Sequence, residues 1–336
     1  MNGVRHVAGA SGPRPGPYDA DVVILALDRA AETEAAIASV LAQEGVSRHL
    51  FVVDQGSRPE NLDRLAHAIA GRDDATLVSL GANRGVPGGR NAGSALGWGR
   101  VIVGLDNDAE FADRTTLARA VAALDAAQDV GALGFRILDQ ETGSDDRSSW
   151  GYPLALLPCA GEAFDAVTFV GAGHAVRRAT WEQAGGYDES LFFCWEEYDF
   201  CLRAIERGWR VRYQGGIVVR HKLSAERRVG WSEDRWFRFV RNRLYIERKW
   251  GASRVSLMPR MAGYFVKGAR NRRMAPTLRA IFAGAVTALD HVPHVRSSAT
   301  CGYLRRNDLA YRGPIRRRLR EEVLGLLPDQ HRTIPP

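Results

Sequence analysis

Cysteine is scarce in this chain of 336 residues, and the four present (Cys159, Cys194, Cys201 and Cys301) show no metal-type spacing. A zinc site is therefore not expected, and free thiols in a reducing cytoplasm are. Long apolar runs are missing as well. The longest, such as 281–289, are too short and too interrupted to span a bilayer. Residues 1–18 hold glycine, proline and serine without an apolar centre, which predicts a disordered leader and not a signal peptide. No internal repeat is found. What is there is ordinary for a soluble globular protein: 45% hydrophobic and 25% charged residues, enough for one large core or two modest ones. The net charge of +7 is uneven, because the arginine-rich blocks fall after residue 200. Such an excess suits nucleic acid, a membrane surface or an anionic substrate.

Apolar runs at 21–27, 49–53, 76–80 and 101–105 alternate with helical patterns at 32–43, 59–70 and from 91 to about 98. That alternation predicts βαβ units and a mainly parallel sheet covered on both faces. In such sheets ligands bind beyond the carboxyl ends of the strands. Here those ends carry Asp28, Asp54, the stretch Asn83 to Asn91, and Asp106-Asn107-Asp108. After residue 110 the rhythm changes to a helix at 114–127, a strand at 134–138 and an irregular polar segment at 139–151. Two short strands, 209–213 and 217–221, are expected around Gln214-Gly215-Gly216. A long helix is predicted from the N-cap Ser232 to Gly251, with a basic, largely helical region beyond Pro259. The expected organisation is a leader at 1–18, an α/β domain at 19–230 and a helical basic region at 231–336.

Four constellations carry chemistry. In the triplet Asp106-Asn107-Asp108, two carboxylates at a strand end can share a hard divalent cation and a ribose hydroxyl; the same residues also suit a plain turn. The glycine-rich stretch 81–93 fits neither the P-loop nor the G-x-G-x-x-G pattern. Gly88, Gly89 and Gly93 would let backbone approach a ligand, with Asn83, Arg90 and Asn91 bonding a base or ribose, or they serve a tight strand-to-helix connection. Asp54 can accept from an imide N–H of uracil or thymine, or close an Asp-Gln-Gly-Ser turn. The densest cluster is at 191–211, where Leu191-Phe192-Phe193 delivers the chain to Trp195, Glu196, Glu197 and Asp199 and then to a helix ending at Gly208. Acids in a first helical turn suit the helix dipole. Three of them beside a tryptophan also suit a site that handles hydroxyl groups.

The order VVILALDR (22–29), VVDQGS (52–57), NRGVPGGRNAG (83–93), DND (106–108), WEEYDFCLR (195–203), then His221 and RNRL (241–244), resembles family 2 glycosyltransferases. It is most similar to bacterial rhamnosyl- and galactofuranosyltransferases, over roughly residues 20–250. The resemblance implies an α/β fold of GT-A type: a Rossmann-like, mainly parallel sheet flanked by helices, here with a C-terminal helical extension. It implies that Asp28, Asp54, Asn83, Gly85, Arg90, Asn91, Asp106, Asn107 and Arg243 bind the nucleoside diphosphate sugar. Asp108 and His221 would hold Mn²⁺ or Mg²⁺, Glu197 would be the general base, and Trp195 with Asp199 would meet the acceptor. Glutamate at 197, where the family usually has aspartate, leaves Glu196 open as the base. Asp28 stands where asparagine is common, and Leu27 where an aromatic residue is, which leaves the nucleobase open.

The expected activity is inverting transfer of a dTDP- or UDP-linked hexose, such as rhamnose or galactofuranose, to a hydroxyl of a glycan, lipid-linked or small acceptor. A nucleotidyltransferase that makes the activated sugar is the alternative enzyme, but the loop Leu27-Asp28-Arg29-Ala30 lacks the basic glycine-rich sequence such enzymes use. Nucleic acid is not an expected partner, since the acidic cluster repels phosphate and the arginines are not interleaved with an aromatic-rich sheet. A cytoplasmic location is expected. The basic C-terminal region suits peripheral contact with the inner face of a membrane, a solvated cap or a dimer face.

Overall fold

The computed structural model describes residues 3–222, 231–286, 293–325 and 327. The boundary expected at 230 and the end of the apolar run 281–289 lie outside the described residues. Two compact units are present, 1–192 with 196–223, and 193–195 with 224–336.

In the first unit, β1 (Arg5–Gly9), β2 (Ala20–Ala26), β3 (Arg48–Asp54), β4 (Ala75–Ser79) and β5 (Val101–Leu105) lie in one sheet with β6 (Ala109–Phe111), β7 (Val130–Asp139), β8 (Ala163–Ala166), β9 (Gly173–Arg177) and β10 (Arg210–His221). The order is β1-β4-β3-β2-β5-β9-β7-β10-β6, with β8 on β10. The four apolar runs pair in parallel as β4-β3-β2-β5, as the alternation predicts. Val22, Ile24, Leu50, Val52, Leu77, Val103 and Leu105 have no exposed surface, and full burial of each such side chain contributes about 1.5–3 kcal/mol. The helices α1 (Ala30–Leu41), α2 (Pro59–Ile69), α3 (Gly85–Ser94), α4 (Thr116–Asp125), α5 (Arg178–Ala184) and α6 (Glu196–Glu206) accompany the strands.

Three expectations are corrected. Residues 5–9, placed in a disordered leader, form β1, antiparallel on the edge of β4. The two strands 209–213 and 217–221 are one strand, β10, parallel to β7. Its partners jump from Gln214–Phe135 to Val218–Arg136, so the glycine pair forms a bulge and not a turn. The glycine-rich stretch is a helix, α3, over most of its length. A Cβ on Gly93 would lie 2.5 Å from Val23 and one on Gly89 2.9 Å from Leu25, so these glycines let α3 approach the sheet instead of admitting a ligand.

His49 and His174 are buried in this unit, the first bonded to Thr76 Oγ1 at 2.8 Å and the second stacked on Phe169. Burial lowers His49 to about 4 and, with the Arg90 charge, His174 to about 3. Because the unfolded chain takes up these protons near pH 6.5, stability present above that pH is lost as the pH falls towards 4 and 3. Between pH 7 and pH 5 the loss should be about 2 kcal/mol for each histidine. Urea titrations of the wild type and of His174→Leu at the two pH values check this: the variant should lose less stability on acidification.

In the second unit, α7 (Glu233–Lys249) starts at the N-cap Ser232, whose hydroxyl accepts from Arg235 N at 3.1 Å, as predicted. Its Trp236, Val240 and Leu244 pack with Leu257, Ala280 and Ala285, and Trp236 Nε1 donates to Thr277 Oγ1 at 2.8 Å. The helices α8 (Met258–Arg270), α9 (Met274–Ile281) and α10 (Ser298–Asn307) follow.

Candidate active site

The acidic triplet and His221 meet because of strand pairing. Directly after Asp108 the chain enters β6, which pairs antiparallel with the end of β10 and sets Ala109 opposite His221. Lys222 N donates to Asp108 O at 2.8 Å. As a result His221 Nε2 lies 3.4 Å from Asp108 Oδ1, although 113 residues separate them in sequence. The other ring nitrogen, Nδ1, is 3.0 Å from Oδ2 of buried Asp146. Asp146 is itself fixed, accepting from Ser148 N at 2.9 Å and Ser149 Oγ at 2.6 Å. Burial alone would lower His221, but its bonds to Asp108 and Asp146 raise it to about 10. Asp108 also accepts from Arg29 Nη1 at 2.7 Å, and Arg29 and Asp28 hold left-handed backbone at the end of β2.

Asp106 points to the same place. Its partner is Arg90, 3% exposed, whose Nη2 donates to Asp106 Oδ1 at 2.9 Å while Nη1 bonds Val23 O. Asp106 N donates to Ala172 O at 3.2 Å, which brings the segment before β9 alongside the triplet. In that segment sits Gly171, where a Cβ would lie 2.4 Å from Glu197 Oε1. Glu197 opens α6 with Glu196 and Asp199. Burial raises the Glu197 carboxyl to about 7, opposed by its own backbone N–H and reinforced by Asp106. Glu196 is 2% exposed, its Oε2 is buried without a hydrogen-bond partner, and burial together with Glu197 pushes it well above the carboxylate range.

Replacing Gly171 with alanine tests this packing. The colliding atom is the far end of a flexible side chain, so the melting temperature should change little while the Glu197 carboxylate is displaced. Misplacement by about 1 Å can cost on the order of 10²-fold in rate. Turnover measured beside a thermal melt separates the two effects.

The remaining expected residues have partners within the chain. Asp54 is wholly buried, and its oxygens accept from Ser57 N at 2.9 Å, Gly56 N at 3.2 Å and Ser79 Oγ at 2.6 Å. Asp28 accepts from Arg58 N and Asn61 Nδ2, joining the ends of β2 and α2. Asn83 accepts from Gly85 N at 2.8 Å, in a turn that Gly85 closes with φ +73°. A Cβ on Gly85 would strike Phe192 O, whose partner is Val86 N at 2.9 Å. Asn91 bonds both backbone groups of Tyr187, and Asn107 bonds Thr33. Asp199 is buried and pairs with Arg203 at 3.0 Å. In the second unit, Trp195 Nε1 donates to Phe239 O at 2.9 Å, and the Arg243 guanidinium lies 4.9 Å from the Trp195 ring centre. Asn242, 1% exposed, donates to Phe193 O and Cys194 O at 2.8 and 2.9 Å. Phe192, Cys194 and Trp195 all have positive φ (60°, 73° and 73°), a concentration of backbone strain that favours functional segments.

Among the described residues no group of three or more His, Cys, Asp and Glu side chains is arranged to hold a metal ion. Asp108 and His221 nevertheless fit one as a pair. A histidine whose outer nitrogen is held by a carboxylate is the arrangement of a metal-ligating imidazole. An ion there would draw its other ligands from substrate phosphates and water, as Mg²⁺ commonly does.

A mostly parallel sheet flanked by helices, with acids gathered at the carboxyl ends of its strands, defines a GT-A-type fold. Residues 21–183 match the model of the family Glycosyl transferase family 2. Among solved structures it is similar to the mannosyltransferase PcManGT from Pyrobaculum calidifontis in complex with GDP-Man and Mn²⁺ (TM-score 0.54, 19% identity, 83% of this chain and 79% of that one). It is similar also to GalNAc-T7 with UDP, GalNAc and Mn²⁺ (TM-score 0.58, 15% identity, 80% of this chain and 54% of that one). A third is S. aureus TarS 1–349 (TM-score 0.51, 15% identity, 79% and 72%). No protein of curated function matches the chain.

Proposed function

We propose that this chain is an inverting, metal-dependent glycosyltransferase that moves a sugar from a nucleoside diphosphate to an acceptor hydroxyl. The observation that carries the reading is a carboxyl group raised to about 7, Glu197, beside the acidic strand ends that carry Asp106, Asp108 and His221. A general base works best with its pKa near the working pH. Glu197 takes the acceptor hydroxyl's proton as the oxygen attacks the anomeric carbon, and the nucleoside diphosphate leaves from the opposite face. One displacement inverts the centre. Glu196 is enclosed, and burial beside Glu197 disfavours its charged form, which argues against a second carboxylate acting as nucleophile. Asp108 and His221 would hold Mn²⁺ or Mg²⁺, which when bound offsets charge on the departing diphosphate. Asp146 fixes the His221 ring, and Arg90 holds Asp106 towards the ribose. The resemblance to rhamnosyl- and galactofuranosyltransferases supports a dTDP- or UDP-linked donor and a glycan, lipid-linked or small-molecule acceptor.

Thermal melts with UDP, dTDP, GDP, CDP and ADP, each with and without Mn²⁺, test the donor site. A ligand at a hundredfold excess over its Kd adds about 2.7 kcal/mol of stability. A shift with one diphosphate that requires Mn²⁺ is expected, and no shift with any of them overturns the assignment. With the donor found, the rate should fall as the pH drops below about 7, because protonated Glu197 accepts no proton. A flat profile from pH 5 to 8 would remove Glu197 as the base.

A further inference from the structure

The second unit carries a segment whose charge is all of one sign. Residues 251–286 contain seven lysines and arginines (Arg254, Arg260, Lys267, Arg270, Arg272, Arg273 and Arg279) and no aspartate or glutamate. The same segment exposes large apolar side chains in a regular pattern. Leu257, just before α8, and Met261 and Tyr264 on it pack inward on the core around Trp236, while Met258, Phe265 and Val266 are exposed. Met258, Ala262, Phe265 and Ala269 follow a spacing of four, three and four, which makes one stripe along the helix. On α9 and the turn after it, Ala280 and Ala285 are buried, whereas Leu278, Phe282 and Val286 are exposed at a spacing of four. Met258 is 61%, Phe265 46%, Leu278 52% and Phe282 64% exposed. Single apolar residues on a surface are common, but aligned stripes between arginines are the pattern of an interface.

We infer that α8 and α9 present a face that docks on an anionic lipid surface. The chemistry selects this occupant. Helices with an apolar stripe and flanking cations lie in the headgroup region, with the stripe in the acyl boundary and the cations on lipid phosphates. Arg260 is paired with Glu247 and Lys267 donates to Glu322 O, but Arg270, Arg272, Arg273 and Arg279 belong to a stretch without an acid, so a second copy of the same face would bring like charges together. Nucleic acid would satisfy the arginines but leave phenylalanine and leucine in water. Among the described residues no helix is long and apolar enough to cross a membrane, so the contact is peripheral. The inference deepens the proposed function, because a protein held at such a surface meets lipid-linked acceptors there.

The test is co-sedimentation of the full chain, without nucleotide, with vesicles of phosphatidylcholine alone and of phosphatidylcholine mixed with phosphatidylglycerol. Binding should be at least about tenfold stronger on the anionic vesicles and should weaken as salt rises from 0.1 to 0.5 M. Phe265→Ser with Phe282→Ser, and separately Arg270→Glu with Arg273→Glu, should each reduce it roughly tenfold. A nucleotide-dependent melt of each variant reports whether it is folded, and the donor reading stands or falls on that melt and not on vesicle binding. No binding to anionic vesicles, equal binding to neutral ones, or binding untouched by both variants overturns the inference. So does light scattering that shows a dimer dissolved by the Phe265 and Phe282 changes, which would assign the face to self-association.

Discussion

Glu197→Gln is expected to lower transfer by roughly 10²–10⁴-fold, the contribution typical of a positioned general base. The substitution keeps the shape of the side chain in the space left by Gly171 and removes its ability to take a proton. Donor binding, read as the nucleotide-dependent melting shift, should persist, so the loss falls on turnover. Retention of near wild-type rate would return the role to Glu196, in spite of its enclosed carboxyl. The matching Glu196→Gln change should be milder, since burial and the neighbouring Glu197 already disfavour the charged form of this carboxyl.

Asp108→Ala is expected to abolish the Mn²⁺-dependent part of donor binding, which removes most of the melting shift. Asp108 faces both His221 and Arg29, so its loss leaves two cationic groups without the carboxylate between them. Isothermal titration of Mn²⁺ in the presence of the diphosphate reads the effect directly. Unchanged metal affinity would reduce the triplet to a turn. His221→Asn should weaken the same affinity without leaving Arg29 unbalanced, and comparing the two variants separates ligand loss from local charge.

Much of the fold was legible because its signals are local. Four apolar runs bounded by polar residues became β2 to β5 within about one residue, and Ser232 capped α7 as read. The glycines of 88–93 left two readings open for an instructive reason. A glycine that accommodates a ligand and one that accommodates a strand look alike until the neighbour is known, and here the neighbours are Val23 and Leu25. The same limit hid Gly171, whose meaning depends on a carboxylate 26 residues later in the chain. Asp146 lay in a polar segment where Asp-Arg-Ser-Ser reads as a capped turn, which it also is; only the closing of β10 beside β7 brings it to His221. Asp54, Asp28 and Asp199 show the converse. Each is an acid at the end of a strand or the start of a helix, and its bonds within the chain, to a turn, a neighbouring loop or an arginine, become visible only in the fold.

The strand β1 has a consequence for anyone handling this protein. It lies antiparallel along β4, which would otherwise be the margin of the sheet. Without Arg5 to Gly9, the outward N–H and C=O groups of Ala75 to Ser79 would be a template on which another chain could add a strand. Ala-Thr-Leu-Val-Ser is uncharged and free of proline and glycine, a composition that favours such pairing. A shortened product trimmed to begin at the family-matching region would thus carry a sticky border, and clumping of that product would reflect a missing selvedge and not a misfolded interior.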